Sequence, residues 1–316
     1  MLWFAVIHFS AFAHAQGGDV IASAGLIADI ATTEDRTFFV SRAGLFEWKN
    51  GHVSLLQQTP DVRLLAIDAV EASEGTMLVV AGGEPGESGH VGVSLAGQKI
   101  DEFVRFADDL IYDVAVNSMG DRVALACGDG RVLVGHFEDG AVQNPSVLLK
   151  HTSVVRSVAF APDGSRLASA SLDGLVLVTK TAGSEAPIVL QDHSDKVECV
   201  VFTPDSQQVV SGARDGKVRF HSVEGRLVRT YSNWGDLKGA RPWDLSNQIL
   251  SLCFSPDGRS LIAGTSLGYL LGLSLDAGST SVIQHFEKPI NAISMSDRLL
   301  VGAEQLHEID LKALPQ

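Results

Sequence analysis

The sequence reads as an all-β chain folded into a seven-bladed β-propeller, and three observations lead there. One short meander recurs: VVRSVAFAPDGSRLASASLDGLVLV from Val154, VECVVFTPDSQQVVSGARDGKVRF from Val197, and ILSLCFSPDGRSLIAGTSLGYLLGL from Ile249. The spacing of its copies lies near the ~40–45 residues of a four-stranded propeller blade. No segment sustains a helical period, which sets an α/β fold aside.

In chain order, the first element is an apolar run, Leu2 to Ala13, followed by Ala13-His14-Ala15 before Gln16. That run has the length of a signal-peptide core and is too short to span a bilayer. No Lys or Arg precedes it. The expectation is an export signal over residues 1–15, a single propeller domain over 16–316, and a periplasmic or extracellular protein; without export the chain is cytoplasmic. Residues 19–23 (DVIAS) have strand character and no place in the first copy.

The copies follow, each anchored on the last apolar residues of its first strand: Ile30, Val70, Val116, Phe160, Phe202, Phe254 and Ile293. First strands such as Val197 to Phe202 are almost continuously apolar, the pattern of a strand covered on both faces. Pro162-Asp163-Gly164 and Pro256-Asp257-Gly258 form the first turn, where proline presets φ and the next two residues tolerate the bend. Asp129-Gly130, Asp173-Gly174 and Asp215-Gly216 are hairpin pairs between apolar strands. After Ile293 there is room for three strands, so residues 19–23 are expected to supply the outer strand of the last blade and close the ring.

These residues resemble the WD40 (G-β-like) repeat family, strongly over residues 150–222 and 248–276 and more weakly towards both ends. Blades of that family carry Gly-His ahead of the first strand and Trp-Asp at the end of the third. Here the first pair becomes Lys150-His151 and Asp192-His193, and the second becomes Thr179-Lys180 and His221-Ser222. The resemblance implies buried His–Ser–Asp hydrogen-bond networks at His151, Ser169 and Asp173, and at His193, Ser211 and Asp215, without the tryptophan that completes them elsewhere.

Two stretches exceed the repeat. Residues 82–90 (GGEPGESGH) fall between the second and third strands of the second blade, and 232–246 (SNWGDLKGARPWDLS) precede the first strand of the sixth. Both connection types lie on one face of a propeller. Glu84, Glu87 and His90 in the first are too few and too flexibly placed for a cation site, so a solvated loop is expected. The second holds Trp234, Lys238, Arg241 and Trp243. Aromatic and arginine residues on a rigidly carried loop make a partner contact; the same tryptophans also suit packing of the loop against its blade.

The net charge of −14 and the lack of any basic run argue against nucleic acid and anionic membrane surfaces as partners. Cys127, Cys199 and Cys253 are widely spaced, odd in number and without a CxxC, so neither zinc nor a disulfide framework is expected. The G-x-S-x-G at 264–268 sits at a hairpin rather than a strand-to-helix elbow. Inner-strand starts offer Asp29, Asp68, Asp113, Arg156 and Glu198, a mixed ring without a triad or ligand set. The expected function is a non-enzymatic scaffold that presents one face to a protein partner, with no catalytic residue, cofactor or metal, and with membership of a larger complex open. The alternatives are an enzyme propeller of hydrolase or quinoprotein type and a ligand- or glycan-sensing propeller.

Overall fold

The structure is a computed structural model that describes residues 26–33, 36–49, 52–72, 75–95, 98–138, 140–182, 185–232, 247–296 and 298–310. Among these residues every regular element is a strand. Blade 1 is β1 (Ile27–Thr32), β2 (Thr37–Ser41), β3 (Gly44–Lys49) and β4 (His52–Gln57). Blade 2 is β5 (Leu64–Ala72), β6 (Gly75–Glu84), β7 (Ser88–Leu95) and β8 (Phe103–Ala107). Blade 3 is β9 (Ile111–Val116), β10 (Arg122–Cys127), β11 (Arg131–Glu138) and β12 (Ala141–Lys150), and blade 4 is β13 (Val155–Phe160), β14 (Arg166–Ser171), β15 (Val176–Lys180) and β16 (Ile188–Leu190). Blade 5 is β17 (Val197–Phe202), β18 (Gln208–Ala213), β19 (Val218–Ser222) and β20 (Leu227–Tyr231), and blade 6 is β21 (Ile249–Phe254), β22 (Ser260–Thr265), β23 (Tyr269–Ser274) and β24 (Thr280–His285). Blade 7 contributes β25 (Ala292–Met295), β26 (Leu299–Gly302) and β27 (Leu306–Ile309).

Each blade is an antiparallel meander in sequence order, and the inner strands β1, β5, β9, β13, β17, β21 and β25 stand side by side around a central channel. The proposed closing strand, residues 19–23, and the export signal, residues 1–15, lie outside the described residues. At the junction of blades 7 and 1, Ile27 N–H donates to the Ala303 carbonyl at 3.1 Å, which brings the chain into blade 1 beside the β26–β27 turn.

There is no single core. The buried apolar residues fall into seven clusters, one for each pair of neighbouring blades. Ile27, Ile30 and Phe39 meet Ala292, Leu300 and Leu306 across the closing junction, and Phe39 stacks on Phe46 with ring centroids 5.0 Å apart. Each blade therefore buries both faces of its sheet only because two neighbours are present, the condition that makes a ring of repeats cooperative.

In most blades the second strand is covered more completely than the first. β2, β22 and β26 are buried at every position, and β10, β14 and β18 at all but one. The first strand mixes buried with half-buried residues, as in β9 and β13. The second strand has sheet partners on both edges and blades on both faces, whereas the first turns one edge to the channel. The apolar run Val197 to Phe202 marked a covered strand correctly, β17 being buried at all but one position.

A correction concerns residues 82–90. β6 and β7 run on as a paired ladder to Glu84 opposite Ser88, so the solvated part is only a short turn at the tip, with Glu84 to Glu87 exposed. Gly86 takes φ +69°, and its N–H donates to Asp109 Oδ1 at 2.7 Å. Arg105 Nη2 donates to the Glu87 carbonyl at 2.9 Å, so the tip is tied to the neighbouring β8–β9 connection. Gly83, at φ +139°, lets the two strands close at a point where a Cβ would lie 2.0 Å from the Ser88 carbonyl oxygen.

Candidate functional site

Two histidine networks organise the face carrying the second-to-third-strand turns. In blade 4, His151 Nε2 lies 2.8 Å from Ser169 Oγ, and Nδ1 lies 3.0 Å from Asp173 Oδ2. An ionised Asp173 only accepts, so Nδ1–H donates to it and Nε2 accepts from the serine hydroxyl. Asp173 also accepts from Thr152 N–H and Leu175 N–H, each at 3.0 Å, which closes the turn that Gly174 makes at φ +86°. Burial alone would raise Asp173, but these hydrogen bonds and the histidine outweigh it and hold the carboxyl below its ordinary value. Burial lowers His151, and Asp173 offsets that only partly.

In blade 5, His193 Nε2 lies 2.8 Å from Ser211 Oγ, and Nδ1 faces Asp215 at 3.2 Å. Arg219 from β19 is buried beside them, with Nη1 donating to Asp215 Oδ2 at 2.7 Å. The two partners hold Asp215 well below the ordinary carboxylate range against the upward push of burial. Where the family has tryptophan, blade 5 buries His221, whose Nε2 lies 2.8 Å from Asp192 Oδ2, and blade 4 buries Thr179. Asp192 and His221 stood in the sequence only as motif positions, and Arg219 escaped the sequence reading. The available signal was a charged residue in a strand, four places after a turn aspartate.

The five inner-strand residues singled out from the sequence line one central cavity of about 660 Å³. They divide into two groups. Asp29 Oδ2 accepts from Ile67 N–H of the next blade at 3.0 Å, Asp68 Oδ2 from Val116 N–H at 2.7 Å, and Asp113 Oδ2 from Val158 N–H at 2.9 Å. The other oxygen of each accepts from the following residue of its own strand. These carboxylates staple blade 1 to 2, 2 to 3, and 3 to 4. Burial pushes Asp68 up to about 7 and Asp113 up to about 6, and burial with the nearby Asp113 charge raises Asp29 well above its ordinary value. The second group is ionic. Glu198 Oε2 accepts from Arg156 Nε at 2.9 Å and Oε1 from Arg214 Nε at 2.5 Å, and Arg156 lies over the Tyr112 ring at 4.9 Å.

Among the described residues no group of three or more His, Cys, Asp or Glu side chains is placed to hold a metal. Glu84, Glu87 and His90 are spread along the β6–β7 hairpin, with His90 paired to Gly82 inside the ladder. Gly264 to Gly268 lies at the β22–β23 hairpin. Trp234, Lys238, Arg241 and Trp243 lie outside the described residues. They fall in sequence between β20 and β21. No helix among the described residues is long and apolar enough to cross a membrane.

The family model described as WD domain, G-beta repeat matches residues 143–179 and 185–222. These stretches run from β12 through β15 and from just before β16 through β19, and they contain both histidine networks. Over 72 residues, 23% of this chain, the sequence is 39% identical to Intraflagellar transport protein 122 homolog of Mus musculus, and the aligned stretch spans 6% of that protein. The two matched WD40 repeats are built as consecutive blades, four and five, of the seven-bladed ring.

Proposed function

We propose that this propeller is a non-enzymatic protein-interaction scaffold that receives its partner on the face carrying the second-to-third-strand turns. One observation carries the reading. The channel groups an enzyme propeller would use are occupied by the architecture: both oxygens of Asp29, Asp68 and Asp113 accept backbone N–H groups, and both oxygens of Glu198 accept arginine Nε–H groups. A carboxylate engaged in this way has lost the freedom that a general base or a metal ligand needs. The same face is rigid where it is described, because the β6–β7 tip is tied to Asp109 and Arg105. Residues 232–246, with Trp234, Lys238, Arg241 and Trp243, join that face as the proposed contact loop. Similarity over 72 residues to a protein named for intraflagellar transport supports a protein partner.

The test is in-cell cross-linking followed by capture, comparing the intact chain with one shortened across Trp234–Trp243. The expected result is a defined partner held by the intact chain and lost from the shortened one, with both melting cooperatively. Identical captured sets would remove the loop as the contact. Export is proposed on residues 1–15 alone, and N-terminal sequencing of the native protein checks it: a chain beginning near Gln16 supports it, and one beginning at Met1 overturns it.

A further inference from the structure

Most charged groups on this face are committed to turns or staples, and the Arg156–Glu198–Arg214 cluster stands apart. Glu198 is a buried carboxylate with its side chain 3% exposed, between two arginines whose side chains are 34% and 33% exposed. Each arginine uses only Nε–H on the glutamate. No described residue accepts from the Nη donors of either one. Arg156 is also fixed by the Tyr112 ring beneath its guanidinium. Arg156 and Glu198 are the second residues of β13 and β17, at the end of the channel where the β18–β19 turn also brings Arg214. Arg63, exposed, stands on the rim of the same cavity.

We propose that Arg156 and Arg214, oriented by Glu198, form a receptor for a carboxylate of an acidic peptide segment in the partner protein. This deepens the scaffold reading and rests on it. A guanidinium presents five donors in a planar fork suited to carboxylates. Fixing Nε leaves the Nη edge pre-oriented, so less rotamer freedom is lost on binding. Two guanidiniums and one carboxylate leave a single net positive charge, matched by one carboxylate. The channel wall beyond carries Asp29, Asp68 and Asp113, and Asp113 lies close enough to Arg156 to feel its charge. A phosphate dianion would carry one charge more than the cluster neutralises, which favours carboxylate over phosphate. In a chain of net charge −14, such a cationic spot gives an acidic segment one place to dock.

The probe is a fluorescein-labelled hexaglutamate peptide, read by anisotropy against the full chain at low ionic strength. The variant Arg156→Gln/Glu198→Gln/Arg214→Gln removes the cluster without stranding a buried glutamate. The control Arg226→Gln/Arg229→Gln removes two exposed guanidiniums from the outer edge of blade 5. Saturable binding that weakens at least tenfold in the triple variant and less than twofold in the control supports the proposal. An equal or larger loss in the control shows general charge attraction and overturns it, as does absent binding.

Should the triple variant fail to fold, the wild type alone decides. Hexaglutamate must slow phenylglyoxal modification of Arg156 and Arg214, mapped by mass spectrometry, and leave Arg226 and Arg229 unchanged; no protection overturns the proposal. Tighter binding of a phosphoserine peptide than of its glutamate counterpart overturns the carboxylate preference. Equal competition by free glutarate overturns the peptide source. A cross-linked partner held equally by wild type and triple variant sinks the receptor and leaves the scaffold standing, whereas a wild type that captures no partner sinks the scaffold itself.

Discussion

Asp68 tests how the channel wall is held together. Asparagine at this position keeps the side chain's size and removes one acceptor. In the wild type, Oδ1 accepts from Ala69 N–H at 2.8 Å and Oδ2 from Val116 N–H of the next blade at 2.7 Å. The amide of Asp68→Asn turns a donor towards one of these, and a buried N–H left without its acceptor costs about 1–3 kcal/mol. The carboxylate carries an opposing cost, because burial holds it at about 7 instead of 3.8. A folded-state pKa that is raised gives stability that is complete below the unfolded value and lost as pH rises through the folded one. Between pH 5 and pH 8 the wild type thus loses up to about 2–3 kcal/mol through this group, less what water in the channel returns. The asparagine variant lacks that loss. It is expected to be less stable than wild type at pH 5, with the gap closing or reversing by pH 8. Urea midpoints from far-UV circular dichroism at pH 5, 6, 7 and 8 measure this. A constant gap across the range refutes the reasoning, and a gap that widens with pH refutes its sign.

Four further outcomes are expected. Ser169→Ala strips the donor from His151 Nε2, whose side chain is fully buried, and lowers unfolding stability by about 1–3 kcal/mol in urea titration. Arg219→Leu strands the buried Asp215 carboxylate and costs about 3–5 kcal/mol, and the double variant with Asp215→Asn recovers part of it in a thermodynamic cycle. Burial pushes the Cys127 and Cys253 thiols up to about 12 and raises Cys199 as well, so the native protein should resist a thiol reagent at pH 8 and release three reactive thiols once unfolded. Deleting residues 18–24 is expected to abolish soluble folded protein; a cooperative melt in that truncation removes the proposed closing strand.

The turns were legible because their chemistry is local. Asp173 and Asp215 serve turns whose glycines need positive φ, and such needs are written in adjacent residues. The blade number followed for the same reason, since the copies repeat one apolar first strand ahead of punctuated turns at a near-constant spacing. The β6–β7 hairpin was misread because Gly82, Gly83, Pro85 and Gly86 look like breakers in isolation. What keeps the ladder together is the contact of its tip with Asp109 and Arg105, which stand further along the chain.

The sequence by itself determined the meander, its repetition and the His–Ser–Asp spacings, because strand alternation and turn φ depend on a few neighbouring residues. The tertiary structure alone decided what the inner-strand charges do. Asp29, Asp68 and Asp113 reach the backbone of the next blade, and Glu198 gathers Arg156 from one blade and Arg214 from the end of another strand. Apart from Arg214, which stands in the same blade as Glu198, those partners lie a blade apart in sequence and meet only when neighbouring blades pack, so the difference between a carboxylate that staples blades and one that aims two arginines was not present in local order.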